Sequence, residues 1–344
     1  MAKRQIPVVV LAGFLGSGKT TLLNHLLRHS GGSRIGAVVN DFGKIEIDAM
    51  SVAGQVDSMV SLGNGCLCCA VDTSELDTFL DKLARPAARI DVIVIEASGL
   101  AEPQELIRMI LASENESIVY GGLVEVVDAA EFTATRARHP ELDRHVGIAD
   151  LVVLNKSDRI GDEERAALLD TLTGLAPGRP VLPVSHGRVD PGMLFDRAPR
   201  EEHVEAIRQL SFEDLCREED DHDHHGHLHA AYESVEFVSE TPMNPRRLMA
   251  FLDSRPEGLY RIKGFVHFGI AGHRQKYTLH AVGDFLRFHP SPWGRSEPRA
   301  TQLVMIGSGI DAAALHDGLQ ECKDPAPQDA DEHSMWGVLR YVRP

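Results

Sequence analysis

The sequence predicts an α/β protein: a mostly parallel sheet covered by helices on both faces, followed by a smaller α+β domain. Three observations predict it. Short apolar runs alternate with helix-period segments as far as residue 184, a glycine-rich turn separates the first run from the first helix, and composition changes abruptly between residues 211 and 230. Strands alternating with helices build parallel sheets, whose ligands collect at the carboxyl ends of the strands.

Residues 7–12 form the first strand candidate, and residues 21–29 carry leucines at 22, 23, 26 and 27 with helical spacing. The further strand candidates are 35–40, 56–62, 91–95, 122–127, 151–154 and 181–184, and the helix candidates are 73–83, 103–111 and 162–175. Beyond the compositional break, strands at 234–237, 260–268 and 277–282 with helices at 245–254 and 312–319 suggest the α+β domain, while residues 290–299 and 324–332 read as surface loops. The division expected is a first domain over 1–205, an acidic, His-rich flexible linker over 206–230 and a second domain over 231–344. A chain of 344 residues is long for one core and comfortable for two.

The formal charge of −16 argues against a nucleic-acid partner, since neutralising phosphates needs a basic face. No apolar run reaches membrane-spanning length. Lys3 and Arg4 precede an apolar run, but that run enters the glycine-rich turn and no cleavage pattern follows, so the expected location is the cytoplasm with no membrane partner. Five cysteines, three of them clustered, read in a reducing compartment as metal ligands or reactive thiols rather than a disulfide framework.

The turn is Gly13-Phe-Leu-Gly-Ser-Gly-Lys-Thr20, a phosphate-loop pattern placed between a strand and a helix. Backbone N–H groups converging on phosphate oxygens need glycines at Gly13, Gly16 and Gly18, and the following helix points its positive end at the anion. Lys19 would reach the β and γ phosphates and, with Glu96, is a candidate catalytic residue. The Thr20 hydroxyl would join the shell of a magnesium ion. Ser17 and Thr21 complete the expected phosphate contacts.

Asn155-Lys156-Ser157-Asp158 follows the strand at 151–154, where a guanine-reading motif belongs. The Asp158 carboxylate can accept from guanine N1 and its exocyclic amine, whereas adenine offers no such donors, so GTP is favoured over ATP. Glu96 ends an apolar run and opens Glu-Ala-Ser-Gly-Leu-Ala. It is a candidate for holding magnesium through water, and Gly99 for sensing the γ phosphate through its backbone. Ser185 and His186, after the strand at 181–184, are candidates to close over the base; a plain loop is the alternative. Asp41 stands at another strand end and reads equally as a turn residue. No catalytic base is identified.

Cys66, Cys68 and Cys69 place three thiols within four residues, and thiolates suit zinc or copper(I). Zinc usually takes four ligands, so three cysteines leave a place for exchange or for Asp41. With the phosphate loop, Asn40-Asp-Phe-Gly43, Gly63-Asn-Gly-Cys-Leu-Cys-Cys69, residues 96–103 and 155–158, the His-rich linker and the smaller second domain, the chain resembles the CobW-type family of SIMIBI-class P-loop GTPases, which includes zinc metallochaperones. The family's Asn-Glu-Phe-Gly-Glu becomes Asn-Asp-Phe-Gly-Lys here.

The resemblance implies a P-loop NTPase fold and GTP hydrolysis coupled to delivery of a metal to a client metalloprotein. The metal is most often zinc, with cobalt handling for cobalamin synthesis or nitrile hydratase activation in other branches. A GTP-gated metal sensor or sequestering protein is the alternative from the binding class, and a nucleotide-dependent dimer is a further expectation. His222, His224, His225, His227 and His229 are candidates for a second, exchangeable metal store, with a solvated linker as the alternative. His267, His273, His280 and His289 read as scattered residues rather than a site.

Overall fold

The computed structural model describes residues 5–40, 58–62, 73–196, 232–327 and 332–342. Within these, seven parallel strands form the first sheet: β1 (Ile6–Ala12), β2 (Ile35–Asn40), β3 (Ser58–Leu62), β4 (Val92–Glu96), β5 (Ile118–Asp128), β6 (Leu151–Asn155) and β7 (Val181–Pro183). Their spatial order is β3-β2-β4-β1-β5-β6-β7. Strand order reverses at β1, which opens the crevice at the carboxyl ends of its neighbours β4 and β5.

β1 is apolar at every position because both its faces are covered. Val8 and Val10 belong to one core with Leu76 and Leu80 of α2 (Thr73–Leu83) and Leu106 of α3 (Pro103–Ala112). Val9 and Leu11 belong to another with Leu22, Leu23 and Leu26 of α1 (Lys19–Arg28). Each of these leucines is fully buried, a gain of about 2 kcal/mol apiece. They fix the strand ends from which the functional side chains project. α6 (Asp162–Leu175), whose Leu168 and Leu172 share a core with Val152 and Leu154 of β6, comes after two short helices, α4 (Phe132–Arg138) and α5 (Leu142–Gly147), that the periodicity did not reveal; α7 (Pro191–Leu194) follows β7.

The second sheet is antiparallel, in the order β11-β10-β9-β12-β8, from β8 (Glu233–Ser239), β9 (Leu259–Val266), β10 (Lys276–Val282), β11 (Phe285–Ser291) and β12 (Thr301–Gly307). Ile262, Leu279 and Met305 pack with Leu248 and Leu252 of α8 (Pro245–Asp253) and with Leu315 and Leu319 of α9 (Ala312–Glu321). Tyr260, Val282 and Ile306 instead join the core of the first sheet. The Tyr120 hydroxyl, beneath this junction, donates to Asp150 at 2.5 Å. β11 and β12 were not anticipated, and the expected loop at 290–299 begins only after β11 ends at Ser291. Pro290 is tolerated there because β11 is an edge strand. No helix among the described residues is long and apolar enough to cross a membrane.

Candidate nucleotide site

Residues 13–18 run from the end of β1 to the start of α1. Gly18 is the helix N-cap, with φ 103° and no side-chain cap, so the first turn of α1 offers its N–H groups to a ligand. A side chain at Gly18 would be strained by that φ, and its Cβ would lie 2.3 Å from Asn155 Nδ2. Lys19 is 7% exposed and donates to the carbonyls of Gly13 at 2.9 Å and Phe14 at 3.2 Å. Its ammonium is thus held at the loop. Ser17 is buried and its Oγ has no hydrogen-bond partner among the described residues, which suits a phosphate oxygen. Thr21 sits exposed in the first turn of α1.

The register of β1 with β4 pairs Leu11 with Glu96. This brings Glu96, 3% exposed, to the root of the loop, where Thr20 Oγ1 donates to its Oε1 at 2.6 Å. A hydroxyl and a carboxylate already in contact are the hard oxygen pair that magnesium takes, so the residues fit that ion. Gly99 lies against the loop: a Cβ there would come within 2.7 Å of Leu15 N and 2.9 Å of its Cα. Backbone movement at Gly99 is therefore movement against the phosphate loop.

Asn155 at the end of β6 is 1% exposed and joins three loops. Its Nδ2 donates to the Ser17 carbonyl at 2.9 Å, and its Oδ1 accepts from Gly187 N at 2.9 Å. Lys156, at φ 60°, donates to the Gly16 carbonyl at 2.7 Å and to Asp128 at 2.5 Å. The Asp158 carboxyl is held below its ordinary value, first by its own backbone N–H and then by the Ser185 hydroxyl. Ser185 and the exposed His186, also at positive φ, thus stand beside the candidate base reader.

Two residues at this site escaped sequence reasoning. Asp128 ends β5 as Glu96 ends β4, and anchors Lys156. Glu125 interrupts the apolar run of β5, paired with Ala12, and lines a cavity of about 230 Å3 behind the loop with Phe14, Phe132 and Leu142. Burial pushes its carboxyl up to about 8 against the opposing pull of Lys19, and its Oε2 has no hydrogen-bond partner among the described residues. Asp41, Cys66, Cys68, Cys69 and the histidines 222, 224, 225, 227 and 229 lie outside the described residues, as does the expected linker. Among the described residues, no cluster of three or more His, Cys, Asp or Glu is arranged to hold a metal.

A glycine loop capping α1, a buried lysine, a hydroxyl–carboxylate pair and a second loop tied to the first by Asn155 define a P-loop nucleotide-binding protein. Residues 7–183 match the CobW/HypB/UreG nucleotide-binding domain and residues 232–323 the cobalamin synthesis protein cobW C-terminal domain; the chain belongs to this family. It is 31% identical over 351 residues to a zinc chaperone CobW of Sinorhizobium sp, covering 90% of this chain and 95% of that protein. It is 33% identical over 196 residues to the zinc chaperone YjiA of Escherichia coli (strain K12), covering 56% of this chain and 61% of that protein. The crystal structure of Zn(II)-bound YjiA GTPase from E. coli aligns over 93% of this chain and 100% of that chain, with 22% identity and a TM-score of 0.44.

Proposed function

We propose that the protein binds GTP with magnesium, hydrolyses it in the cytoplasm, and uses the cycle to deliver zinc to a client metalloprotein. The observation that carries the nucleotide half is the Asn155 bridge, which joins the candidate base loop to Ser17 of the phosphate loop at 2.9 Å. Lys19, Gly13, Gly16, Gly18 and the first turn of α1 hold the phosphates, and Asp158 reads guanine. Thr20 and Glu96 would hold magnesium, which would supply charge neutralisation at the phosphates. The protein's own contribution is to position: Lys19 is buried at the loop and Gly99 is packed on Leu15, so loss of the γ phosphate is relayed into residues 96–100.

Similarity to zinc chaperones supports the metal half, with Cys66, Cys68 and Cys69 as the proposed zinc ligands, Asp41 as an accessory ligand and the linker histidines as a secondary store. Leu15 and Leu100, both more than half exposed beside Gly99, favour nucleotide-dependent pairing of two copies. The test is transfer of isotopic zinc from the GTP-loaded protein to an apo client. Transfer faster than release into buffer supports delivery. Transfer no faster than release replaces it with a GTP-gated sensor or sequestering protein, and preferential loading by cobalt under controlled free metal replaces zinc with cobalt.

A further inference from the structure

The seam between the two sheets encloses a cavity of about 280 Å3 that is remote from the phosphate loop. Pro7 and Val119 reach it from the amino-terminal ends of β1 and β5, opposite the nucleotide crevice, and Phe265 of β9 extends this apolar wall. The facing wall is cationic. His280 pairs with Lys263 and Val282 with Arg261 across β10 and β9, so Arg261, Lys263 and His280 stand on one face of the second sheet, and Lys276 is in register on the same face.

Among the described residues the charges do not balance. Arg261 and Lys263 share the carboxylate of Asp196, and Lys276 is bonded to Glu297 at 2.7 Å, so three cations meet two described carboxylates and one positive charge is left over there. Arg261 is 3% exposed, its Nη2 is taken by Asp196, and among the described residues its Nε and Nη1 have no hydrogen-bond partner. A buried guanidinium with two nitrogens unmatched is unfavourable until an acceptor arrives. We propose that this cavity binds a small organic monoanion, a carboxylate on a compact apolar body. Arg261 takes the carboxylate, and Pro7, Val119 and Phe265 enclose the body.

Such a ligand touches strands of both sheets and so stabilises their docking. His280 reports its arrival. Its Nε2 donates to the Tyr120 carbonyl at 2.9 Å, which fixes the ring beside Arg261.

The experiment is a titration of the full chain, saturated with GDP, with benzoate, benzyl alcohol and inorganic phosphate, following the His280 ring resonance assigned with His280→Gln. Benzoate is expected to move it saturably in the millimolar range, benzyl alcohol to leave it in place, and phosphate to bind more weakly than benzoate. Arg261→Lys should abolish saturation. Lys263→Met, at a position 38% exposed and so tolerant of change, should weaken benzoate about tenfold and decides the matter if Arg261→Lys does not fold. No saturable shift with benzoate, an equal shift with benzyl alcohol, phosphate binding as tight as benzoate, or unchanged benzoate affinity in Lys263→Met would each overturn the proposal.

Discussion

Replacing Glu125 with glutamine tests the buried carboxyl behind the phosphate loop. In the fold its proton is held up to about 8, against 4.5 for an exposed glutamate. Because the folded value is the higher, the native state binds the extra proton between these limits. Stability is then fully present below 4.5 and is lost as pH rises towards about 8, at about 1.4 kcal/mol per pH unit. Near neutral pH the accumulated cost is roughly 3 kcal/mol. Glutamine keeps the shape and cannot ionise, so Glu125→Gln should be the more stable protein near pH 8 and should match wild type near pH 5, to within about 1 kcal/mol. His25 and His280, pushed down to about 4 and about 3 chiefly by burial, tilt both curves the other way below their ordinary value of 6.5. The difference between the two proteins therefore isolates Glu125. Urea midpoints measured across this range decide it, and two parallel curves refute a buried neutral carboxyl.

Asp158→Ala should lower GTP affinity about tenfold to a hundredfold and remove discrimination against ATP, measured calorimetrically; retained discrimination would move base reading elsewhere. Gly99→Ala places a Cβ 2.7 Å from Leu15 N, so the Gly99 segment must withdraw from the loop; GTP turnover should fall about tenfold to a hundredfold with GDP affinity little changed. Unchanged turnover would separate Gly99 from the phosphate loop. Deleting residues 220–229 should lower the metal-to-protein ratio while hydrolysis persists, and an undiminished ratio would remove the linker histidines as a store.

The candidate nucleotide site was legible because its parts stand at strand ends or just beyond one. Glu96 and Asn155 close apolar runs, Lys19 and Thr20 open the helix after the glycine loop that follows β1, and parallel strands deliver such ends to one crevice. Asp128 ends β5 in the same way and was overlooked, although the same pattern reveals it. Glu125 carried a different signal, a charge inside an apolar run, whose meaning depends on the helices that bury it. In the second sheet, β11 was recoverable from Gly283-Asp284, a two-residue link between the paired Val282 and Phe285 that marks a tight hairpin. α4 and α5, of 7 and 6 residues, are too short for a helical period to show. Arg261 and His280 acquire their meaning only at the seam. Histidines 280 and 289, expected as scattered residues, both line the cavity, and no local pattern foretells how two sheets meet.

Coupling between nucleotide and metal is tested most directly by the zinc affinity of the full chain, measured once with GDP and once with a non-hydrolysable GTP analogue. If hydrolysis loosens the metal, the analogue-bound protein holds zinc at least about tenfold more tightly, a coupling of about 1.4 kcal/mol, and Cys66→Ala, Cys68→Ala and Cys69→Ala together abolish the difference. Equal affinity in the two nucleotide states, or a difference that survives loss of the three thiols, would contradict it.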